Sequence, residues 1–368
     1  MAPDIAAAIV HDYFTQQGGA ERFVGELARL FPGATVHTSV FDPAILPPTV
    51  PANRIRASPL QRLRSRGVPL QFLAPVLPTA FGRMDLGGSS VVVSSTSAFA
   101  HHVRPRAGAV HIAYCHSPPH FLWETGGYFR ERGVRGRVME PALGLLRRSD
   151  RAAARRVDAY VANSRYTAAR ILGTYGRRAT VIYPPIDAAA FSPGPARSGR
   201  FLVVARLRRH KRIELAMEAA ARLGCPLDII GDGPDQAYLR DLGGPSVRFL
   251  GRLTDRQVQE AMARCIGLIV PATEDFGLTM AEVQAAGRPP IAFARGGATE
   301  IIRDGETGFL FHDQGVDAVA DAMSRALSVE LDTEALVRSA RRFDRATFDA
   351  EFMAFVAGVV SGPRAADR

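Results

Sequence analysis

The sequence predicts two α/β domains in tandem, each a doubly wound parallel sheet with helices on both faces, the two facing each other across a cleft. Three observations support this fold class. The chain of 368 residues is too long for one ordinary core. Apolar residues make up 47% of it, enough to bury two cores. Short apolar runs alternate with amphipathic segments, which is typical of buried parallel strands separated by helices.

The alternation is most regular in the second half, which predicts one complete sheet. The predicted strands are Phe201–Ala205, Leu227–Gly231, Val247–Gly251, Ile266–Pro271 and Pro290–Phe293. The predicted helices are about 212–223, Asp255–Arg264 and Leu278–Ala286, the last closed by Gly287.

The first half shows the same alternation more loosely. Its predicted strands are Ala7–Asp12, Val91–Ser95, His111–His116 and Tyr160–Asn163, and Ala20–Leu30 is a predicted helix. A strand that meets two prolines at 184 and 185 places the boundary near residue 180. We therefore expect domains over 1–180 and 181–344. We also expect a C-terminal helix within 345–368 that packs back on the first domain.

Composition restricts the class of protein. The sequence has no run of eighteen apolar residues and no charged-then-apolar leader, so we expect neither a membrane-spanning protein nor a secreted one. The three cysteines, Cys115, Cys225 and Cys265, are widely spaced in apolar strings. This pattern is typical of reduced thiols in a cytoplasmic protein and offers no metal-ligand spacing.

The positive charge is confined to the first half. Residues 1–180 hold 23 Arg and no Lys against 11 Asp and Glu, which gives +12; the remainder is −2, and the total is +10. An anionic membrane or a phosphorylated acceptor fits this charge better than nucleic acid, whose binding motifs are missing. An Arg-rich solvated surface is the open alternative.

Two stretches could lie against the inner face of the cytoplasmic membrane, which would be the anionic surface. Ser58–Met84 combines arginines with Leu, Phe and Val, and Arg130–Arg156 is strongly basic. The alternative for Ser58–Met84 is a core helix with a loop, and its prolines argue against one long amphipathic helix.

A basic loop after Phe201–Ala205 predicts a phosphate site. Arg206 follows the strand directly, and Lys211, the only lysine in the chain, comes five residues later. Where Arg is the general cation, a single Lys suggests a site that needs a compact point charge. Arg208, Arg209 and His210 widen the basic pocket, and a solvated basic loop is the alternative.

Two glutamates flank a glycine at the start of a predicted helix. Glu274 lies in the loop after a buried strand, Gly277 opens the helix, and Glu282 lies about two turns into it. The glycine lets backbone amides approach a phosphate or sugar. A carboxylate has two acceptor oxygens and suits vicinal hydroxyls, so Glu282 could accept both hydroxyls of a ribose. A pair of ordinary surface glutamates at helical spacing is the alternative.

These motifs resemble the large family of retaining GT-B glycosyltransferases, family 4-like, over nearly the whole chain. The Arg206 and Lys211 pair, the turn Gly231-Asp232-Gly233-Pro234 and the glutamates Glu274 and Glu282 occur in the family's order. The resemblance implies the GT-B fold, with two Rossmann-like domains. One departure is Ala205, where the family usually has Gly; we expect little effect.

The resemblance implies roles for named residues. Arg206 and Lys211 would hold the diphosphate as leaving group, Glu274 would meet the donor sugar, and Glu282 the ribose. The other residues expected at the donor are Gly18, Gly19, Gly231, Gly251, Arg252, Leu253, Phe276, Gly277 and Leu278. The resemblance also implies same-face transfer with retention, which agrees with the lack of an identifiable nucleophilic carboxylate. No paired metal-binding carboxylates are identifiable either, so we expect Arg206 and Lys211 to take the place of a metal, and no other cofactor.

Two N-terminal segments complete the resemblance. Gly18-Gly19 fits a glycine loop near the diphosphate and acceptor. His116, in Tyr114–Pro119, fits a histidine loop that faces the donor sugar. Asp12 and Tyr13, after the first strand, are expected with Gly19 and His116 at the acceptor. No role is predicted for the other histidines, namely His101, His102, His111 and His120.

The phrase Tyr114–Trp123, with Asn163–Tyr166, resembles a narrower subgroup that includes bacterial mannosyltransferases of O-antigen and exopolysaccharide assembly. This implies GDP-mannose as the donor and a lipid-linked or oligosaccharide acceptor. The alternatives are a UDP-sugar donor, a soluble acceptor, a 2-epimerase, and a non-catalytic nucleotide-sugar or lipid-binding protein.

Overall fold

The computed structural model describes residues 6–124, 134–194 and 198–362, and only the backbone of 134–139. The first part of the basic stretch Arg130–Arg156 and the C-terminal residues 363–368 therefore lie outside the described residues. The chain divides into two compact units. One combines Met1–Tyr183 with Asp349–Arg368, and the other is Pro184–Phe348.

The first unit is built on a seven-stranded parallel sheet. Its strands are β1 Ala7–His11, β2 Thr35–Thr38, β3 Ile55–Ala57, β4 Val91–Thr96, β5 Val110–Cys115, β6 Ala159–Ala162 and β7 Ala179–Val181. Their order is β3-β2-β1-β4-β5-β6-β7. All six residues of β4 are buried, as expected for a strand covered on both faces.

Helices cover both faces of this sheet. They are α1 Gly19–Leu30, α2 Leu60–Ser65, α3 Leu70–Leu73, α4 Leu77–Gly82, α5 His120–Trp123, α6 Val134–Ala154 and α7 Arg165–Tyr175. Local sequence fixes the ends of α7: the Ser164 side chain accepts a hydrogen bond from Thr167 N, and Gly176 closes the helix in the left-handed region.

The second unit repeats the design with six parallel strands. They are β8 Phe201–Val204, β9 Leu227–Ile230, β10 Val247–Gly251, β11 Leu268–Val270, β12 Pro290–Phe293 and β13 Phe309–Phe311. Their order is β10-β9-β8-β11-β12-β13. The helices are α8 Ile213–Arg222, α9 Gln236–Leu242, α10 Asp255–Arg264, α11 Leu278–Ala285, α12 Ala298–Ile301, α13 Val316–Ser328 and α14 Thr333–Ala340.

The last helix, α15 Arg345–Ser361, passes from the second unit into the first. Phe352 on this helix is fully buried, and its ring lies 6.3 Å from Tyr114 and 6.5 Å from Phe31. The C-terminal helix thus contributes to the core of the first unit.

The predicted fold class, two doubly wound parallel sheets, is confirmed. Several predicted bounds differ from the structure. The strand predicted over Ile266–Pro271 is limited to Leu268–Val270, and β5 ends at Cys115, so His116 lies in the following loop. Strand β7 is the strand predicted before the two prolines, whereas β2, β3 and β13 were not predicted. Within the described residues, we find no helix of the length and apolarity required to cross a bilayer.

Candidate functional site

The strand order of the second sheet creates a switch point between β8 and β11. Chain order runs one way from β8 to β9 and β10, and the other way from β11 to β12 and β13. In open α/β sheets, ligands bind beyond the carboxyl ends of the strands at such a point. Arg206 and Lys211 follow β8, and Glu274 follows β11. The two loops predicted to bind the donor are therefore neighbours here.

Lys211 and Glu274 are in direct contact. Lys211 Nζ donates to both carboxylate oxygens of Glu274, at 2.6 Å to Oε1 and 2.8 Å to Oε2. Their side chains are 23% and 22% exposed, so the pair is accessible to a ligand. The structure brings these two predicted residues together, and each neutralises the charge of the other in the absence of a ligand.

The loop that carries Lys211 has an unusual backbone. Arg209–Lys211 forms a single 3₁₀ turn, and Arg212 follows in the left-handed region with φ 52°. Among the described residues Arg212 is the only non-glycine with positive φ. Such a conformation costs on the order of 1 kcal/mol or more and tends to occur at functional sites. It reverses the chain directly between Lys211 and α8. Arg206, at the start of the loop, is exposed.

The Gly231–Pro234 turn packs against the same loop. Gly231 has φ +132°, and a Cβ there would lie 1.9 Å from the carbonyl oxygen of Ala205. Only glycine permits this approach. Leu207 N donates to Asp232 O at 2.8 Å, and Arg209 N donates to Asp235 Oδ2 at 2.7 Å. These contacts hold the basic loop against the Gly231–Pro234 turn and the residue that follows it.

Arg252 joins this support from the third strand. Its Nη2 lies 3.5 Å from Asp232 Oδ2, and the side chain is half-exposed. Gly251, the last residue of β10, accepts a backbone hydrogen bond from Gly231 N. Leu253 is half-buried just before α10. All three lie at the carboxyl edge of the sheet, at the end of β10, which is two strands from β8 on the side away from β11.

Gly277 places the start of α11 beside Glu274. It precedes the helix with φ +96°, a conformation that a side chain would strain. The amides of Leu278 and the residues after it lie at the helix N-terminus, which favours anions. Phe276 is buried, with its ring 5.2 Å from Phe343, so any ligand contact falls to its backbone. Glu282 is 3% exposed in this ligand-free structure.

The first sheet has its switch point between β1 and β4. Asp12 follows β1 there, and its carboxylate accepts from four successive backbone amides at 2.6–2.8 Å, from Ser97 to Ala100, and from Ser97 Oγ at 3.3 Å. Asp12 is 1% exposed. Its acceptor capacity is taken up by this turn, which assigns the carboxylate to the backbone rather than to a substrate hydroxyl.

His116 lies at the same carboxyl edge, half-buried in the loop after β5. The ring of Phe23 packs edge-on against it at 5.2 Å, and its Nε2 is 2.8 Å from Ser95 Oγ. Gly18 caps α1 and Gly19 is its first residue, in the loop that follows β1. Tyr13 is half-buried against the apolar cluster around Phe81. These four residues share one edge of the first unit.

Sequence reasoning missed Ser95 and His11. His11 Nδ1 lies 3.2 Å from both Ser95 Oγ and Ser95 O, and both residues are buried. The sequence does carry a signal for Ser95, because two serines follow the apolar run Val91–Val93 directly, at the carboxyl edge of the sheet. Polar residues at that position of a buried strand are unusual unless they have a partner.

One group of metal-ligand type occurs among the described residues: His101, His102 and Asp150, with ligand atoms within 4.8 Å of one another. Asp150 Oδ2 already accepts from Trp123 Nε1 at 2.7 Å and Tyr175 OH at 2.9 Å. Oδ1 lies 3.0 Å from His101 Nε2 and 3.4 Å from His102 Nε2. These contacts form a buried ion-pair network, and we assign it a structural role.

The pKa values in this network follow from burial and pairing. Burial lowers the pKa of His102 to about 4, against the opposing effect of Asp150. Burial alone would raise the pKa of Asp150, but the charge of His101 and the hydrogen bonds from His101, His102 and Trp123 hold it below its usual range. Asp150 therefore stays ionised, with its charge compensated within the core.

The segment Ser58–Met84 contains three short helices, α2, α3 and α4, rather than one long one. Three of its large apolar side chains are exposed: Phe72 by 70%, Val76 by 46% and Leu63 by 40%. Val76 also lines a cavity of about 520 Å³, together with Arg56 and Arg83. From residue 43 to residue 84 the sequence has six arginines and no acidic residue. Exposed apolar side chains among arginines distinguish this surface.

Comparison with known proteins gives two family matches that meet at residue 190. The family described as Glycosyltransferase Family 4 matches residues 17–190, and Glycosyl transferases group 1 matches residues 190–343. Together they span nearly the whole chain, and the second includes Lys211, Glu274 and Glu282.

Individual relatives agree with these families. A D-inositol 3-phosphate glycosyltransferase of Acidothermus cellulolyticus is 28% identical over 371 residues, which cover 88% of this chain and 81% of that protein. A protein of the same name from Kribbella flavida is 28% identical over 224 residues, or 51% of this chain and 52% of that protein.

Solved structures show the same fold. HepE of Anabaena, solved with UDP-glucose, superposes with a TM-score of 0.70 at 20% identity, covering 96% of this chain and 99% of that one. Sucrose-phosphate synthase of Thermosynechococcus elongatus has a TM-score of 0.71 at 18% identity, covering 96% and 98%. At these identities the likeness concerns the fold alone.

Proposed function

Because this chain is a glycosyltransferase of the GT-B fold, its halves belonging to Glycosyltransferase Family 4 and Glycosyl transferases group 1, we propose that it is a retaining hexosyltransferase. The proposed donor is GDP-mannose, and the proposed acceptor is a lipid-linked or oligosaccharide chain. The proposed place of action is the inner face of the cytoplasmic membrane, where the protein binds peripherally.

One observation carries the proposal: Lys211 and Glu274 meet at the switch point of the second sheet. The pair offers a cation for a phosphate and a carboxylate for sugar hydroxyls within one small volume. The N-terminus of α11 adds backbone donors beside Glu274. A nucleotide-diphospho-sugar needs these three kinds of partner side by side.

In the proposed reaction an acceptor hydroxyl attacks the anomeric carbon from the face that the diphosphate leaves. The bond between that carbon and the phosphate oxygen breaks, and this oxygen takes the proton of the acceptor hydroxyl. Arg206 and Lys211 neutralise the charge that develops on the diphosphate. Positioning and electrostatic stabilisation then supply the acceleration, without a metal.

The remaining donor residues have supporting roles in this proposal. Glu282 would accept the ribose hydroxyls, which requires its buried carboxylate to become accessible when the nucleotide binds. Gly231, Gly251, Arg252 and Leu253 would hold the basic loop and border the nucleotide. In the first unit, Gly18 and Gly19 would approach the diphosphate and His116 the donor sugar.

The acceptor is proposed from the first unit. Its arginine excess favours an acceptor that carries phosphate, and the exposed apolar side chains of Ser58–Met84 favour one that resides in a membrane. A phosphorylated soluble acceptor is the second candidate, since relatives of this chain are named D-inositol 3-phosphate glycosyltransferases.

Thermal unfolding with GDP, UDP, ADP, GDP-mannose and UDP-glucose in chelator tests the donor site. A ligand at a hundred times its Kd adds about 2.7 kcal/mol to the stability of the second unit. We expect a shift selective for guanine nucleotides that Lys211→Ala abolishes. Arg222→Ala, which removes an exposed cation paired with Asp317, is the control and should keep the shift.

Other outcomes discriminate the alternatives. A uridine-selective shift would retain the enzyme class and replace the donor, in line with the UDP-glucose bound by HepE. No shift with any nucleotide would contradict the donor site. Turnover over an acceptor panel separates transfer from epimerisation, which needs no acceptor, and from binding alone. Arg206→Ala or Lys211→Ala should lower the transfer rate by about 10²–10³-fold.

A further inference from the structure

A chain of hydrogen bonds links three side chains across neighbouring strands of the first unit. His11 and Ser95 are paired residues of β1 and β4, and His116 follows β5. His11 Nδ1 is 3.2 Å from Ser95 Oγ, and Ser95 Oγ is 2.8 Å from His116 Nε2. His11 and Ser95 are 2% and 0% exposed, so water does not compete for the bond between them.

The position of each proton in this chain follows from its partners. His11 Nδ1 also lies 3.2 Å from the carbonyl oxygen of Ser95, which can only accept. His11 therefore carries its proton on Nδ1 and donates to Ser95. Burial lowers the pKa of His11, which keeps the ring neutral at pH 7.

The Ser95 hydroxyl then has one place to donate. Its oxygen accepts from His11, and among the residues that the structure describes the remaining acceptor within reach is His116 Nε2. Donation from Ser95 makes Nε2 the unprotonated nitrogen of a neutral His116, so the ring proton is on Nδ1. The ring orientation is held by Phe23, edge-on at 5.2 Å, and by Tyr114 at 5.3 Å.

We propose that Ser95 and His11 are positioning residues for His116, which fix its tautomer with the ring proton on Nδ1, the nitrogen that faces the substrate oxygen in the proposed function. The tautomer assignment depends only on the geometry above. The substrate contact rests on the proposed function, in which His116 meets a hydroxyl or ring oxygen of the donor sugar.

The direct test is the tautomer of His116 in protein labelled with ¹⁵N-histidine. Long-range ¹H–¹⁵N spectra distinguish the two neutral forms, and His116→Gln identifies the signals. We expect Nδ1–H in the wild type. In Ser95→Ala the ring should shift toward Nε2–H, the form that free histidine favours, and Ser95→Thr should restore the original form.

The chain supplies a matched control. Ser94, one residue earlier on β4, is also buried and bonds His111 Nε2 at 2.9 Å on the opposite face of the sheet. Ser94→Ala removes an equivalent serine–histidine bond from the same strand. It should leave the tautomer of His116 and the sugar-transfer kinetics unchanged.

Kinetics test whether Ser95 acts through His116. Loss of one hydrogen bond from the transition state should lower kcat/KM about ten-fold in Ser95→Ala. In a His116→Ala background, the same change should have less than about a two-fold effect, because its target is gone. If the role of Ser95 were merely structural, Ser95→Ala would lower kcat/KM equally in both backgrounds.

Three outcomes overturn the proposal: a proton on Nε2 of His116 in the wild type, an unchanged tautomer in Ser95→Ala, or equal kinetic effects in the two backgrounds. A different outcome concerns the proposed function alone. If the tautomer responds as expected but His116→Ala transfers sugar at the wild-type rate, the positioning stands and the substrate contact of His116 is wrong.

Discussion

At the scale of single residues, the contact between Lys211 and Glu274 defines the ligand-free state of the second unit. Each side chain satisfies the other with two short hydrogen bonds. In the proposed function, a diphosphate takes Lys211 from its carboxylate partner, and the donor sugar then occupies the oxygens that are released. Donor binding in this proposal is an exchange of partners rather than the filling of an empty site.

This exchange predicts opposite effects of Glu274→Gln on binding and on transfer. Without the competing carboxylate, Lys211 is freer to bind phosphate, so affinity for the free nucleoside diphosphate should rise about three- to ten-fold. Sugar transfer should fall, because the hydroxyl contact is weakened. Calorimetric titration and transfer assays measure the two effects. Glu260→Gln, on exposed α10, is the control; weaker diphosphate binding in Glu274→Gln would contradict the exchange.

His111 predicts a dependence of stability on pH. Its pKa is lowered to about 3, mainly by burial and to a smaller extent by the nearby charges of His101 and Arg156. Below the unfolded value near 6.5 the unfolded chain takes up a proton that the folded chain cannot. The unfolding free energy of the first unit should therefore fall as pH drops from about 6.5 toward 3, by up to about 1.4 kcal/mol per pH unit.

Urea unfolding at a series of pH values measures this pH dependence. The probe is the fluorescence of Trp123, the only tryptophan in the sequence, which lies in the first unit. His111→Gln keeps an amide for Ser94 and should reduce the slope by about one proton, or about 1.4 kcal/mol per pH unit. His312→Gln, at an exposed histidine of the second unit, should leave it unchanged. An unaltered slope in His111→Gln would refute the assignment.

The sequence predicted which residues end the strands at the site, because each follows an apolar run directly. It did not predict how their side chains pair. Asp12 was expected at the acceptor, yet the backbone amides of the turn after β4 occupy its carboxylate. The link between Ser95 and His116 depends on the register of two strands, which no local pattern encodes.

At the scale of elements, predictability followed the strength of local signals. Helix α10 has the predicted bounds, because Thr254 and Gln257 form a capping box before an amphipathic stretch. Strands β10 and β12 also have the predicted bounds. Strand β3, three residues long, carries two exposed residues and lacks a continuous apolar run. It forms because the neighbouring strand β2 offers its edge, which is tertiary information.

The C-terminal helix predicts an asymmetric response to truncation of its phenylalanines. Phe352 is fully buried, whereas Phe355, one turn later, is half-buried. Phe352→Ala should lower the unfolding free energy of the first unit by about 3–5 kcal/mol, because it leaves a cavity beside Phe31 and Tyr114. Phe355→Ala is the matched control and should cost clearly less. Urea titration followed by Trp123 fluorescence measures both, and equal losses would contradict the packing.

At the scale of the whole molecule, charge is divided along the chain. The +12 of residues 1–180 and the −2 of the remainder give the first unit alone an attraction for anionic surfaces. Within it, the segment Ser58–Met84 adds exposed Leu63, Phe72 and Val76 to its arginines. Electrostatic attraction and apolar insertion act together at such a surface.

This division predicts binding to vesicles of anionic lipid that weakens with salt. Replacing Arg62, Arg64 and Arg66 with Gln should weaken binding by about 1 kcal/mol for each arginine near the surface. Phe72→Ser should weaken it at all salt concentrations, because apolar burial is not screened. Leu327→Ser, at an exposed leucine of the second unit, is the control. Cosedimentation measures these effects, and equal binding to neutral vesicles would contradict the electrostatic part.

The course of α15 through both units has a consequence for biosynthesis. The ribosome delivers all of the second unit, which ends at Phe348, before it delivers the residues that complete the first. The apolar surface around Phe31 and Tyr114 therefore stays uncovered until Phe352 has been synthesised. Translation of the intervening chain takes on the order of ten seconds at usual elongation rates. The strands of the N-terminal half emerge first, yet this half is the last to complete its core. On the nascent chain, it is therefore the half that exposes apolar core surface to chaperones.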